Sequence, residues 1–293
     1  MSELLDPRND FVFKRIFGSE ENKDVLLAFL NRTFAEAGEQ PLKEIILLNP
    51  YTDKDAPLDK QSIFDIWAKT ATGKHINIEM QLFNKYDIEK RTLYYWSKRY
   101  SGQLQERQTY KELKKCVTIN ILNYSLLESS RYHHVFHLRE DYTGIQLTDD
   151  LEVHIMELSK LDNTSIPIEG GLLNWLLFLK GTDKSNWEVL QMNEPTLKKA
   201  MTTLEFLSQD REARRRYEER QKFLHDEASA LEWAAEKGMA QGMAQGMAQG
   251  MAQGERNKAL QIARNLLSMG MEIKVIAQAS GLTEEEVLAL KSQ

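Results

Sequence analysis

The sequence predicts an α/β protein, with a small mixed central sheet flanked by helices and a helical C-terminal extension. Three observations predict it. Residues 8–37 carry two short helical patterns, FVFKRIF and NKDVLLAFLNRTF, broken near Gly18-Ser19. Residues 62–83, SIFDIWAKTATGKHINIEMQLF, form two alternating β-rich runs about a short turn, and further β-rich runs follow a long amphipathic stretch. After Asp162 the pattern turns helical, through NWLLFLK and PTLKKAMTTLEFL to the charged run of residues 210–237.

Taken in order, the first strand is expected at residues 43–48, ended by Asn49-Pro50. The segment YTDKDAPLDKQ, rich in charge and proline, reads as a loop leading into the hairpin. A helix is expected over residues 86–110, then strands at 116–122, 135–138 and 153–157. The chain has 293 residues and a formal net charge of −6, enough for one large domain and an appendage. No apolar run reaches membrane-spanning length, and MSELLDPRND lacks the regions of a signal peptide, so a cytoplasmic protein without membrane partners is expected. The single cysteine, Cys116, excludes an intrachain disulfide and a cysteine-based zinc site, and its apolar setting reads as a buried structural thiol. The acidic balance excludes a generic polycationic coat but leaves room for a local basic face on nucleic acid.

The hairpin carries the chemistry. Asn77, Glu79 and Gln81 point to one side and Ile76, Ile78, Met80 and Leu82 to the other; on the first run Asp65 shares a face with Ile63 and Trp67. If Ala71-Thr72-Gly73 closes a three-residue loop, residue 70 faces 74 and Asp65 faces Glu79. Opposed carboxylates roughly 5 Å apart at Cβ repel unless something positive lies between them. Mg²⁺ or Mn²⁺ suits hard carboxylate oxygens beside an amide. A solvated polar face is the plainer alternative, and a four-residue loop would put the two acids on opposite faces.

The order Asp65, then Glu79-Met80-Gln81, resembles the PD-(D/E)XK nuclease core, and more closely its recombination-promoting nuclease (Rpn) and transposase-like branch, where Glu-x-Gln commonly replaces Glu-x-Lys. The run DPRNDFVFKRIFGSEENKDVLLAFLN resembles that family's opening signature at Asp10, Phe13, Lys14, Phe17 and Gly18. Arg91 and Tyr95 resemble the helix that follows the catalytic strands. The similarity covers roughly the first 200 residues and implies a PD-(D/E)XK (restriction-endonuclease-like) core. It implies that Asp65 and Glu79 hold a divalent ion, Mg²⁺ or another such as Mn²⁺ or Ca²⁺, with Glu79 helping to orient the attacking water. Gln81 stands where the superfamily more often has lysine; it hydrogen-bonds but cannot offset charge. Asp10 is a further candidate ligand, or else a helix cap beside Asn9. Lys14, one turn on, reaches phosphate or is a solvated flank.

Arg91, Tyr95 and Lys98 fall at i, i+4 and i+7, one helical face suited to a nucleic-acid backbone with base stacking, while Tyr94 and Trp96 read as packing. In YHHVFH, strand alternation puts His133 and His137 on one face but nearly 13 Å apart, too far for one metal. The run 211–222 interleaves Arg with Glu and reads as a salt-bridged exposed helix.

Three segments are expected: a nuclease domain at 1–208, a long charged helix with a GMAQ-repeat spacer at 209–254, and a small helical module at 255–293. GMAQ occurs four times between Gly238 and Gln253. Its four-residue period turns the methionines about 40° per unit, and each Gly costs a helix about 1 kcal/mol, so the tract is a marginal helix or, as favoured, a flexible spacer. The end, IKVIAQASGLTEEEV, reads as helix, Gly turn and a helix capped by Thr283. It superficially resembles half of a helix-turn-helix, but its acidic second helix repels phosphate, so a packing or oligomerisation module is expected.

The resemblance thus implies a metal-dependent DNA endonuclease hydrolysing phosphodiester bonds, linked to DNA recombination or mobile elements. The alternatives are a nuclease fold without catalysis that binds DNA or a protein, and a ribonuclease. No separate Asp/Asp/Glu core supports strand transfer. The helical tail leans towards a homo-oligomer through the C-terminal helices.

Overall fold

The computed structural model describes residues 3–48, 65–84, 87–162, 170–181 and 183–291. Residues 49–64, with the expected loop and the start of the first hairpin strand at Ser62, Ile63 and Phe64, lie outside the described residues. The chain divides into two compact units, Met1–Asp226 and Glu227–Gln293.

In the first unit, helices α1 (Asp10–Phe17) and α2 (Lys23–Glu36) precede strand β1 (Ile45–Leu47). Strands β2 (Ile66–Thr70) and β3 (His75–Gln81) form the hairpin, and α3 (Ile88–Ser101) follows. Next come β4 (Cys116–Leu122), β5 (His133–His137) and β6 (Leu151–Glu157), then helices α4 (Leu172–Lys180), α5 (Trp187–Asn193) and α6 (Leu197–Gln209). The mixed sheet has the order β1-β2-β3-β4-β6-β5, with β3, β4 and β6 parallel and the remaining pairs antiparallel. Bringing β3 and β4 parallel requires a crossover, and α3 supplies it.

Both sheet faces are covered. Ile76, Ile78 and Met80 of β3 join Val117, Ile119 and Ile121 of β4 in the main core. Phe17 of α1 packs there against Phe13, against Phe29 of α2 and against Trp175 of α4, with ring centroids 5.0 to 6.0 Å apart. The other face carries Asn77, Glu79 and Gln81 beside Thr118 and Asn120, because the parallel register sets Glu79 next to Asn120. There Thr92 of α3 donates to Asn120 Oδ1 at 3.3 Å.

The hairpin closes as its sequence predicts. Ile66 pairs with Ile78 and Lys69 with His75, so residue 70 meets 74 and the register continued by one residue sets Asp65 across from Glu79. Thr70 N donates to Lys74 O at 2.9 Å, and Gly73 takes a φ of +93°. A side chain there is strained by about 1–2 kcal/mol, and its Cβ would meet Lys114 at 3.0 Å. Gly73→Ala is therefore expected to lower stability by that amount, read as a lower denaturant midpoint at unchanged slope.

Helix α3 ends earlier than expected. Its C-cap is Gly102, and Gln103 turns back to clasp Lys114, donating to its carbonyl at 2.9 Å and accepting from its N–H at 2.8 Å. A separate turn, Tyr110–Glu112, follows with its own Thr109/Glu112 capping box.

Helix α7 (Arg211–Ser268) begins in the first unit and contains the whole GMAQ repeat. The repeat is thus helical where a flexible spacer was favoured: Ala, Met and Gln propagate a helix well enough to carry the spaced glycines. Met239, Met243, Met247 and Met251 are all exposed. In the second unit α8 (Ile273–Ser280) and α9 (Glu284–Lys291) pack around Ala263, Ile276, Leu282 and Val287. Thr283 caps α9 in a reciprocal box: Glu286 N donates to Thr283 Oγ1 at 3.2 Å and Thr283 N to Glu286 Oε2 at 2.9 Å. Among the described residues, no helix is long and apolar enough to cross a membrane.

Candidate active site

Helix α1 brings the N-terminal residues to the hairpin. Asn9, not Asp10, caps it, accepting from Phe11 N at 3.0 Å. Val12, Phe13, Ile16 and Phe17 are buried, while Asp10 and Lys14, one turn apart, serve the polar side. Gly18 lets the helix end close on β2, since a Cβ there would lie 3.2 Å from Ile66 Cγ1, one residue from Asp65.

Asp65 is fixed by the opposing strand: its Oδ2 accepts from Met80 N at 2.7 Å, and its Oδ1 lies 3.4 Å from Lys14 Nζ. Glu79 is 6 % exposed. Its Oε2 accepts from Gln81 Nε2 at 3.2 Å, whereas no donor among the described residues meets its buried Oε1 in hydrogen-bond geometry. Gln81 is held from behind, its Oε1 accepting from Arg91 Nη2 at 2.5 Å.

Burial pushes the Asp65 carboxyl up against the opposing pull of Lys14, and Asp10's charge adds to the rise. Burial, then the charge of Asp65, pushes Glu79 well above the usual carboxylate range, with Arg91 offsetting only part. Tyr95 of α3 lies in the same field: burial and then Glu79 raise its phenol. Two buried acids that resist ionising together, one with an orphaned oxygen, are a poor resting arrangement for protein alone. The donors are hard oxygens with an amide alongside, and they fit a divalent ion such as Mg²⁺, Mn²⁺ or Ca²⁺.

The fold therefore gathers Asp10, Lys14, Asp65, Glu79, Gln81, Arg91 and Tyr95. Lys98 lies a turn beyond Tyr95 on α3 and takes no part in the contacts just described. The sequence reading misses one member of the group. Arg220 of α7 grips Asp10 through two bonds, Nε to Oδ1 at 2.8 Å and Nη2 to Oδ2 at 2.7 Å. Nothing in its Arg/Glu-rich run distinguishes it from Arg216, which does pair along the helix with Glu212.

A second cluster lies on the opposite sheet face. His137, Asp149 and Glu152 bring ligand-type atoms within 4.8 Å of one another. A cation already stands among them: Lys115 Nζ is 2.6 Å from Glu152, 3.1 Å from Asp149 and 2.7 Å from Glu39. His133, which shares a strand face with His137, bonds instead to Glu36 at 3.2 Å and His154 at 2.9 Å.

Comparison with known families decides the kinship. Residues 7–234 match the family described as PD-(D/E)XK nuclease family transposase. The chain belongs to this family. Residues 256–292 match the Rpn/YhgA-like nuclease family, C-terminal HTH domain, which places the chain in the Rpn branch. No curated protein and no solved structure matches the chain. The mixed six-stranded sheet with flanking helices is the PD-(D/E)XK nuclease fold. This Rpn-type chain thus carries a nuclease or transposase-like domain followed by a helix-turn-helix domain. Where the acidic start of α9 argued for a packing module, the comparison describes a helix-turn-helix domain. Part of that acidity is spent internally, since Glu286 caps Thr283 and pairs with Arg256 at 2.8 Å.

Proposed function

We propose that this Rpn-type chain is a divalent-metal-dependent DNA endonuclease, acting in the cytoplasm in DNA recombination or on mobile elements. The observation that carries the reading is Glu79 Oε1, a buried carboxylate oxygen that no donor among the described residues meets in hydrogen-bond geometry, on the residue across the hairpin from Asp65. Asp65 and Glu79 would hold the ion, with Asp10 as a further ligand. When bound, a divalent ion supplies Lewis acidity that lowers the pKa of water and offsets charge on the scissile phosphate. Glu79 orients the attacking water. Gln81 cannot take up a proton; held by Arg91, it steadies Glu79 by hydrogen bonding. Lys14, Arg91 and Lys98 contact phosphates, and Tyr95 offers a stacking surface.

The domain division that goes with this reading is a nuclease domain over residues 1–208, a helical spacer over 209–254 and the terminal module over 255–293. The terminal module supplies a second DNA contact, and the helical tail supports self-association.

The test compares wild type with Asp65→Ala and Glu79→Ala on supercoiled plasmid, with Mg²⁺, Mn²⁺ or EDTA. Nicking or linearisation only by wild type, and only with metal, is the expected result. Intact plasmid with every protein and metal would favour a nuclease fold that binds without cutting. Equal cutting by all three would show that other residues do the work.

A further inference from the structure

The first turns of α7 are docked on the nuclease domain. Ala213 and Leu224 are buried, and Arg214 Nη2 donates to Glu3 O at 2.6 Å and to Ser208 O at 2.9 Å. Arg220 stands on this docked stretch, with its guanidinium 4.8 Å from the Phe223 ring centroid. Its fork holds both oxygens of Asp10, one turn before Lys14, whose Nζ lies 3.4 Å from Asp65 Oδ1.

The hydrogen bonds to Asp10 leave little choice in how it can act. Oδ1 accepts from Arg220 Nε at 2.8 Å and from Phe11 N at 2.9 Å, which uses both of its lone pairs. Among the described residues Oδ2 accepts from Arg220 Nη2 alone, at 2.7 Å, which leaves one of its lone pairs for a further partner. A fork of this kind fixes a carboxylate's plane as well as its position.

We propose that Arg220 is a positioning residue of the metal site: it holds Asp10 so that Oδ2 alone is presented to a divalent ion bound by Asp65 and Glu79. This rests on the metal-site reading above. It makes the base of α7 part of the nuclease machinery, although no residue of α7 reaches the paired carboxylates in the contacts described.

The experiment is Mn²⁺ titration of the full chain by calorimetry, without DNA, for wild type, Arg220→Met, Arg220→Lys, Asp10→Asn and the double variant Asp10→Asn/Arg220→Met, with Asp65→Ala and Glu79→Ala as controls. Folding of each is checked by its melting curve. Arg220→Met is expected to weaken Mn²⁺ binding about 10-fold, the lower end of the usual cost of losing a ligand's hydrogen-bonding support. Arg220→Lys keeps the charge but loses the fork, so its affinity should fall between those two. In the Asp10→Asn background Arg220→Met should change affinity little, because the effect passes through Asp10.

Unchanged affinity in Arg220→Met would overturn the proposal. Tighter binding would overturn it too, by making Arg220 a cation that competes with the metal. A wild type that binds no Mn²⁺, or binds it equally after Asp65→Ala and Glu79→Ala, would instead overturn the metal-site reading itself. The controls therefore separate the two failures.

Discussion

Glu79→Gln is expected to abolish metal-dependent cleavage and, at the same time, to raise the melting temperature of the metal-free protein. On the proposed metal site the loss of activity, roughly 10³-fold or more, follows from removing a charged ligand. The gain in stability follows from linkage. Burial and then Asp65 lift the Glu79 carboxyl well above its ordinary 4.5. Its contribution is therefore fully present below about pH 4.5 and is lost as pH rises through the folded value, because the unfolded chain ionises freely while the folded site resists. Glutamine cannot ionise and escapes that loss. At pH 7 to 8 the metal-free variant should be more stable by about 1–2 kcal/mol, the usual scale for relieving a strained functional group. For a domain of this size that is about 2–8 °C. The advantage should shrink towards pH 4 and should narrow when Mg²⁺ is added, since the ion stabilises only the wild-type pair. A variant no more stable than wild type at pH 8 without metal would refute the account of the buried pair. The same linkage makes metal affinity rise with pH, because uptake must displace protons.

The pair itself was legible in the sequence because its placement is local. A three-residue turn with Gly73 at positive φ fixes the register, and the register alone puts Asp65 across from Glu79. Strand β4 was equally plain, an apolar run with both faces covered. What escaped depends on contacts between distant parts of the chain. The end of α3 is set by Gln103 clasping Lys114, and a periodic pattern cannot show that. Arg220 meets Asp10 across 210 positions, within a run where Arg216 pairs locally with Glu212. The helix-turn-helix segment had its signals on view, a helix, Gly281 and a Thr283 cap, but its acidic composition outweighed them. Composition was the wrong arbiter there, because Glu286 is committed to the cap and to Arg256.

Lys115→Met is expected to be strongly destabilising. Lys115 precedes β4, and its ammonium stands between Glu39, Asp149 and Glu152, the last 1 % exposed. Burial opposes its charge, but hydrogen bonds to Glu152 and Glu39 outweigh that and raise its pKa. For Glu152, burial likewise pushes the carboxyl up, and the hydrogen bond from His154, aided by Lys115, overcomes it and holds the carboxyl far below its usual range. A lowered carboxyl contributes stability that is present above the unfolded value of 4.5 and is lost as pH falls through the folded one. Removing the ammonium leaves Glu152 charged and buried, held among the described residues chiefly by histidines, His154 at 2.7 Å and His137 at 3.0 Å. Breaking a buried pair from one side costs about 3–5 kcal/mol. That is a fall of about 6–20 °C in the melting temperature of the first unit. Losing the charge of Lys115 also moves acid unfolding to higher pH. The double variant Lys115→Met/Glu152→Gln removes both charges and should recover much of the loss, since the penalty lies in the unpaired charge more than in the missing bond. Thermal and acid melts of the single and double variants test this directly. A double variant as unstable as the single would mean that Lys115 matters through packing of its stem instead.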